Sequence, residues 1–376
     1  MPKVLILSTS HGASHLRASN ALRKAMLQLH PGTDVRVVDG LEHCAAWFRL
    51  YYDSYEIPLR LWPGLWGWIE GFQHQQSSTG PLWLYRRGAR PLFAFLRELA
   101  PEIVVAAEVG MCELAALAKR EGGLRFFLAG IELMDFNQAW VQPEVDLYIA
   151  THPDLGLELV NAGAPSDRVL SCGMPIDPSF ASLPSRPAMR AKLQLDQDLP
   201  VLLVLFGGTG FGKPGVMVQE LRKVGAPFQA VFVAGKNARL EREARRLCRD
   251  LPHSRVLGWV DNMQEWMVAA DLLLSKPGGG TLMEAAACGL PMLAHDPLPG
   301  NEQRTCRWIE KWQAGIWLKA PAQIAPALQR LFASRTELDS LRERASSIAR
   351  PDAAKEAARA ILAGCKSEVQ PSTKSG

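Results

Sequence analysis

Three consecutive glycines, Gly278–Gly280, join an apolar run to a helical pattern, and this junction constrains the fold more than any other part of the chain. The run Asp271–Leu274 predicts a buried parallel strand, and Thr281–Ala287 predicts a helix. A helix that begins directly after such a strand points unpaired N–H groups and the positive end of its dipole at one spot. The junction therefore predicts a phosphate or diphosphate site, with Lys276 beside it as a mobile cation.

Polar side chains follow this junction at the same predicted sheet edge. Glu284 lies one turn into the helix, where its carboxylate would reach sugar hydroxyls. A second predicted strand, Pro291–His295, leads into the polar loop Asp296–Gln303. A diphosphate site next to a loop of amides and carboxylates favours a nucleotide sugar as the ligand.

Short apolar runs alternate with helical patterns along both halves of the chain, which predicts an α/β protein with parallel sheets and right-handed crossovers. We expect two Rossmann-like domains that face a cleft. They would span residues 1–178 and 188–348, with a proline-rich connector between them. A helix at 349–365 can cross back onto the first domain, and 366–376 has the composition of a loose tail. The predicted strands are Val4–Leu7, Val35–Val38, Ile103–Ala107, Phe126–Ala129, Leu147–Ala150, Val201–Phe206, Ala230–Ala234, Val256–Leu257, Leu272–Ser275 and Met292–His295.

Composition disfavours several classes of protein. The 376 residues are 48% hydrophobic, enough for two cores, and the net charge of +4 is too evenly spread to predict a nucleic-acid-binding face. The seven cysteines have no metal-ligand spacing, which predicts no metal site and a reducing compartment. Neither a signal-peptide pattern nor an apolar run of about 18 residues occurs. We expect a cytoplasmic protein that meets membranes only at their surface.

The segment from Trp47 to Phe95 is rich in tryptophan and then in arginine. Its members include Trp62, Trp66, Trp68, Arg86 and Arg87. Tryptophan with arginine is typical of proteins that contact lipid headgroups. The alternative is a helical insertion whose tryptophans pack inward, and composition alone leaves both interpretations open.

The first strand ends in Ser8–His15, ahead of a predicted helix. In an open parallel sheet this corner faces the ligand crevice, so His15 is a candidate general base, with His11 as a competitor. A histidine that merely caps the helix is the structural alternative. A dinucleotide site with Asp39 as the ribose ligand is disfavoured, because Gly12 is the only glycine in the corner.

Three further strand-end loops are candidate donor contacts. Phe206–Gly212 contains Gly208 and Thr209, where glycines permit close approach of the backbone to a ligand. The other two loops are Val233–Asn237 and Gly258–Met263. Their backbone groups would pair with the edge of a flat base, and the Trp259 ring would support that base. Their candidate residues are Lys236, Asn237, Trp259, Val260 and Met263.

Three stretches, in this order, resemble the monogalactosyldiacylglycerol synthase and processive diacylglycerol glucosyltransferase family. They are Gly258–Met263, Lys276–Ala285 and Asp296–Glu302. The resemblance runs over most of the chain, and a more distant one is to the enzyme that adds N-acetylglucosamine to the lipid-linked peptidoglycan precursor. Gly12–His15 aligns with the family's glycine run ending in histidine, and Leu61–Trp66 is similar to its lipid-side segment.

The resemblance implies the glycosyltransferase-B fold, a UDP-sugar in the C-terminal domain, a lipid hydroxyl at the N-terminal domain, and inversion at the anomeric carbon. It implies that His15 is the base and that Glu284 holds the ribose. Asn301, Glu302 and Gln303 would contact the sugar. Neither a metal nor another cofactor would be required, because the helix at Gly278, Gly279, Gly280 and Thr281 would stabilise the leaving diphosphate.

The chain departs from the family at four positions. Ala13 and Ser14 replace two glycines of the N-terminal run, Asn301 stands where glutamine is usual, and Asn137 occupies the position of a family histidine. Asn137 is therefore included among the acceptor-side candidates.

The function that these features favour is an inverting transferase. It would move galactose or glucose from a UDP-hexose to a diacylglycerol-type lipid, at the anionic inner face of the plasma membrane. The alternatives are a UDP-sugar transferase with a soluble or other lipid acceptor, a nucleotide-sugar epimerase of the same fold, and a non-catalytic membrane-bound relative. The epimerase would need acidic residues such as Glu108, Glu113, Glu132 and Asp135 in the crevice.

Overall fold

The computed structural model describes residues 2–10, 13–54, 57, 61–134, 136–206 and 214–368. It describes the backbone alone for Ala13, Pro63, Trp66, Trp68, Glu70, Gln73 and residues 366–368. The chain forms two compact units. Unit 1 comprises residues 1–178 and 352–376, and unit 2 comprises residues 179–351.

Unit 1 is built on a six-stranded parallel sheet in the order β2-β1-β3-β4-β5-β6. Its central strands β3 and β4 are buried along their whole length, as is typical of parallel strands that helices cover on both faces. Strand order reverses direction between β1 and β3, and in open parallel sheets the crevice beyond the carboxyl ends of such strands binds ligands. The strands are β1 Lys3–Ser8, β2 Asp34–Asp39, β3 Ile103–Ala106, β4 Phe127–Ile131, β5 Leu147–Ile149 and β6 Val169–Leu170.

The helices of unit 1 include one contributed by the end of the chain. These helices are α1 Ala13–Leu29, α2 Ala46–Asp53, α3 Pro63–Gln73, α4 Leu82–Gly88, α5 Arg90–Leu99, α6 Val109–Arg120, α7 Pro153–Asn161 and α16 Ala353–Glu368. The last of them packs against α1 and β4, with Ala357, Ala358 and Ile361 fully buried. It extends to Glu368, three residues into the segment that composition predicts to be loose.

Unit 2 repeats this architecture, with sheet order β12-β11-β10-β7-β8-β9 and every pair parallel. Its strands are β7 Val201–Leu205, β8 Gln229–Val233, β9 Ser254–Leu257, β10 Leu272–Ser275, β11 Met292–His295 and β12 Gly315–Leu318. Its helices are α8 Arg186–Lys192, α9 Pro214–Leu221, α10 Ala238–Leu247, α11 Met263–Ala269, α12 Gly279–Ala287, α13 Asn301–Lys311, α14 Ile324–Ala333 and α15 Arg335–Ser347. The reversal of strand order lies between β7 and β10.

A buried charge network anchors two helices to the amino end of β10. The Asp271 carboxylate, 6% exposed, accepts hydrogen bonds from Arg190 at 2.5 Å, from the Val201 amide at 2.7 Å, and from Arg342. Removing Asp271 would leave buried guanidinium groups without their carboxylate, which typically costs about 3–5 kcal/mol.

All ten predicted strands are present within a residue or two of their predicted ends, and the predicted α/β class with two parallel sheets is confirmed. Two strands were not predicted, β6 and β12, and both lie at the edges of their sheets. β6 has two residues, and β12 begins at a glycine and is half-buried along most of its length. Edge strands have one neighbour, so their sequences carry a weaker apolar pattern.

Within the described ranges, no helix combines the length and apolar character needed to span a membrane.

Candidate functional site

The predicted phosphate corner lies at the point in unit 2 where strand order reverses. β10 ends at Ser275, Gly278 is the N-cap of α12 in extended conformation, and Gly279 and Gly280 begin the helix. The first N–H groups of an α-helix have no intrahelical acceptor, and the Leu282 amide is the first to donate back, to Gly278 O at 3.0 Å. The corner therefore presents backbone donors, and α12 carries no acidic residue in its first turn to compete for them.

Lys276 differs from the mobile cation that we predicted. It is 6% exposed, its Nζ donates to the carbonyl of Asp296 at 2.8 Å, and it lies 3.7 Å from the Asp296 carboxylate. The mobile-cation prediction is wrong because the lysine side chain spans from the end of β10 to the end of β11. Lys276 thus holds the loop after β11 beside the glycine corner.

The loop after β11 is also closed on itself. Asp296 has a φ of 47° and Gly300 a φ of 90°, and Gly300 immediately precedes α13. The Glu302 carboxylate accepts the Leu298 amide at 2.6 Å, and burial raises the pKa of Glu302. Asn301 and Gln303 are exposed, and Asn301 Oδ1 accepts from Arg304 at 2.6 Å. The structure therefore brings Asn301, Glu302 and Gln303 to the first turn of one helix.

His295, which the sequence did not single out, is buried at the end of β11. Its side chain is 8% exposed, Nε2 has no hydrogen-bond partner, and burial lowers its pKa to about 4. The signal in the sequence was its place as the last residue of a strand that leads into a polar loop.

We expect His295 to make the protein sensitive to acid. Its folded-state pKa lies below the unfolded value, so the stabilisation is complete above about pH 6.5 and is lost as the pH falls towards 4. Between pH 7 and pH 4.5 this one group should lower the free energy of unfolding by about 2 kcal/mol. Urea denaturation of the wild type and His295→Gln at both pH values measures the difference. The exposed His30→Gln should behave as the wild type, and equal acid sensitivity of wild type and His295→Gln would contradict the prediction.

Several side chains of the other predicted donor loops make contacts with residues nearby. Trp259 is 60% exposed, its Nε1 donates to Asp261 at 2.7 Å, and Lys236 Nζ lies 4.6 Å from its ring centroid. Asn237 Oδ1 accepts the Leu240 amide and so caps α10. Lys236, which follows β8, and Trp259, which follows β9, therefore lie against each other.

The remaining donor candidates differ in how deeply they are buried. Glu284 is 6% exposed within α12, and Thr281 is half-buried at its third position. Val260 and Met263 are half-buried, and Met263 begins α11. Gly208 and Thr209 lie outside the described residues.

In unit 1, His15 is in the first turn of α1, at the reversal point of the sheet. Its Nδ1 lies 2.7 Å from the carbonyl oxygen of Ala107, which directly follows β3. A carbonyl oxygen only accepts hydrogen bonds, so Nδ1 carries the hydrogen. In the neutral ring Nε2 is then an acceptor, which is the arrangement that a general base needs. Gly12 and the competitor His11 lie outside the described residues.

Two other polar residues of unit 1 have structural roles. Asp39, the residue that a dinucleotide site would need, accepts the backbone amides of Ser10 and Leu41, each at 2.9 Å. Asn137 is 5% exposed and its Oδ1 accepts the Ala139 amide at 2.9 Å. Asn137 thus caps a short helical turn through Oδ1, and its place among the acceptor-side residues stays a prediction.

The tryptophan-rich segment exposes apolar side chains. Ten of the fourteen large apolar side chains exposed in the described part of the chain lie between positions 47 and 83, so exposed apolar side chains are concentrated in this part of the sequence. We call these ten residues the apolar surface: Trp47, Leu50, Tyr51, Ile57, Leu61, Trp62, Leu65, Phe72, Leu82 and Trp83. The interpretation that the tryptophans pack inward is wrong for Trp47, Trp62 and Trp83. The side chains of Trp66 and Trp68 lie outside the description.

Arginines accompany the apolar surface on α4. Arg86 and Arg87 are exposed in its last turn, and Arg86 pairs with Glu121 at 2.6 Å. Among the described residues, no three His, Cys, Asp or Glu side chains are grouped so as to hold a metal ion.

Comparison with known proteins agrees with these observations. Residues 15–176 match the monogalactosyldiacylglycerol (MGDG) synthase family model, and residues 215–334 match glycosyl transferases group 1. The chain is a glycosyltransferase. It is 27% identical over 373 residues to a processive diacylglycerol β-glucosyltransferase of Bacillus cereus. The alignment covers 96% of this chain and 94% of that relative.

Solved structures share the fold of this glycosyltransferase. Acinetobacter baumannii MurG superposes with a TM-score of 0.66 at 16% identity, over 96% of this chain and all of that one. Anabaena HepE in complex with UDP-glucose gives a TM-score of 0.57 at 16% identity with the same coverage. The resemblance drawn from the sequence is confirmed, and the fold is that of the glycosyltransferase-B class.

Proposed function

We propose that the glycosyltransferase moves a hexose from a UDP-sugar to the free hydroxyl of a diacylglycerol-type lipid, with inversion, at the inner face of the plasma membrane. The observation that carries this proposal is the setting of His15, whose ring is oriented by a backbone carbonyl in the same unit that bears the apolar surface. The names of the relatives support a diacylglycerol acceptor and a glucosyl donor, and the family description supports galactose as the other candidate hexose.

The reaction is a single displacement. The lipid hydroxyl oxygen attacks the anomeric carbon, its proton passes to His15 Nε2, and the bond from that carbon to the UDP oxygen breaks. One displacement inverts the anomeric centre. The departing diphosphate gains one negative charge as this bond breaks, and the N–H groups at Gly279 and Gly280 with the α12 dipole would stabilise it without a metal or another cofactor.

The rest of the donor would lie on residues around the same corner. Glu284 on α12 would accept hydrogen bonds from the ribose, and Lys236 with Trp259 would support the uracil base. The first turn of α13, with Asn301, Glu302 and Gln303, would contact the hexose hydroxyls.

Release of UDP in the presence of diacylglycerol vesicles tests the function. Calorimetry with UDP-glucose, UDP-galactose and UDP-N-acetylglucosamine identifies the donor, and analysis of the lipid product identifies the acceptor and the anomer. Turnover of a UDP-sugar to its epimer without acceptor would overturn the proposal. Of the acidic residues that this alternative would need, Glu108 and Glu113 accept hydrogen bonds from neighbouring backbone and hydroxyl donors, and Asp135 lies outside the described residues.

We expect the apolar surface to bind lipid. Leu50 on α2 is 73% exposed, and its transfer into a membrane should contribute about 1.5 kcal/mol, so Leu50→Ser should weaken vesicle binding about tenfold. Co-sedimentation with anionic vesicles measures this. Leu157→Ser is the matched control, because Leu157 is 60% exposed on α7 and is not one of the ten residues of the apolar surface. Equal loss in both variants, or loss in neither, would contradict the assignment.

A further inference from the structure

Helix α2 has two faces with different surroundings. Trp47, Leu50 and Tyr51 are exposed and belong to the apolar surface, whereas Phe48 is fully buried. Tyr52 is half-buried against the core of unit 1. Tyr52 is therefore the point where this helix brings a polar group to the interior.

The Tyr52 hydroxyl donates to Glu108 Oε1 at 2.9 Å. Burial and the Glu108 carboxylate raise the pKa of Tyr52 well above its usual value, so the hydroxyl keeps its proton and is the donor. The Glu108 carboxylate, 9% exposed, also accepts the amides of Gly110 and Met111 at 3.0 Å each, and so caps α6. Tyr52 thus supplies the third hydrogen bond that fixes the Glu108 side chain.

Glu108 shares a peptide group with the carbonyl that holds His15. The Ala107 oxygen, which accepts from His15 Nδ1 at 2.7 Å, and the Glu108 nitrogen are two ends of one planar unit. A rotation of that plane moves the oxygen and with it the direction of the imidazole hydrogen bond. On its other side Ala107 is fixed by its own amide, which donates to Leu7 O at 3.0 Å.

The packing at Gly110 shows how tightly this contact is set. A Cβ atom at position 110 would lie 2.2 Å from the Tyr52 hydroxyl oxygen, which is too close for any side chain. Glycine at this position therefore allows the hydroxyl to reach the first turn of α6. The contact can therefore be disturbed from either side, by removing the hydroxyl or by adding a methyl group.

We propose that Tyr52 is a positioning residue for His15: through Glu108 it orients the Ala107 carbonyl that holds the imidazole. This inference rests on the proposed role of His15 as acceptor base. It also places one support of the base on a helix that carries part of the apolar surface.

The test uses Tyr52→Phe, Gly110→Ala and their double variant, with Tyr148→Phe as the matched control. Tyr148 lies on β5 and is 1% exposed, and its hydroxyl donates to the Gln142 carbonyl at 3.0 Å, so the control also removes a hydrogen-bonded hydroxyl from the interior of unit 1. We expect Tyr52→Phe to lower kcat about tenfold with little change in KM for the UDP-sugar, because small displacements of a catalytic group have effects of this order. Gly110→Ala should act likewise, and the double variant should be no worse than either, since both disturb one contact. Tyr148→Phe should keep the wild-type kcat.

A second measurement does not need turnover. The nitrogen resonances of the His15 imidazole, assigned with His15→Gln, should shift in Tyr52→Phe and Gly110→Ala and stay in place in Tyr148→Phe. Unchanged His15 resonances in folded Tyr52→Phe, or additive kcat losses in the double variant, would overturn the inference. If the wild type transfers no sugar, the proposed function fails, and the imidazole signal still decides whether Tyr52 positions the ring.

Discussion

Replacing His15 by alanine should lower kcat for transfer to diacylglycerol about 10³-fold, because a positioned general base contributes roughly 10² to 10⁴. In the neutral His15 ring, Nδ1 donates to the Ala107 carbonyl, so Nε2 is the atom that can accept the proton of the lipid hydroxyl. Binding of the UDP-sugar should be unaffected, since the expected donor contacts lie in unit 2. UDP release with diacylglycerol vesicles measures kcat, and calorimetry measures donor binding.

The control for this experiment is His30→Ala, which removes an exposed imidazole just beyond the other end of α1. It should keep wild-type turnover. Equal turnover by His15→Ala and the wild type would remove His15 from its role as base, and loss of donor binding would show that its contribution is to the donor instead.

Replacing Gly279 by proline should lower kcat about 10²-fold, because it deletes one backbone donor from the diphosphate corner, and single donors of this kind contribute 10² to 10³. Proline is well tolerated at the first position of a helix, where its missing N–H has no intrahelical acceptor. Gly278, with φ −72° and ψ 133°, already has the extended conformation that a following proline requires. The fold of α12 should therefore survive.

Gly279→Ala is the matched control, because alanine keeps the N–H group and adds a Cβ. The difference between the proline and alanine variants isolates the hydrogen bond from the steric effect. Similar UDP-sugar turnover in both, at whatever level, would show that this amide does not stabilise the leaving group.

The sequence predicted the fold well because both sheets are parallel and covered by helices on each face. Buried strands of this kind are continuous apolar runs, so β3 and β10 could be located from composition alone. β12 could not be located in this way. It lies at the edge of its sheet, starts at Gly315 and is half-buried along most of its length, so its sequence is not a continuous apolar run. The start of α12 was predicted from the glycines themselves.

The candidate site was predictable where it depends on backbone and not where it depends on long-range side-chain contacts. The corner at Gly278–Gly280 follows from local sequence, as does the place of His15 after β1. The hydrogen bond from Tyr52 to Glu108 joins residues 56 positions apart, and no local pattern announces it. Lys276 was misjudged for the same reason, because its partner Asp296 is 20 positions away.

The return of α16 to unit 1 has a consequence for how the chain is made. Ala357, Ala358 and Ile361 complete the packing around α1, yet they are translated after every residue of unit 2. A nascent polypeptide leaving the ribosome must therefore hold its first sheet with one flank uncovered until the whole of unit 2 has been synthesised. Throughout that interval the apolar flank of α1 is open to chaperones.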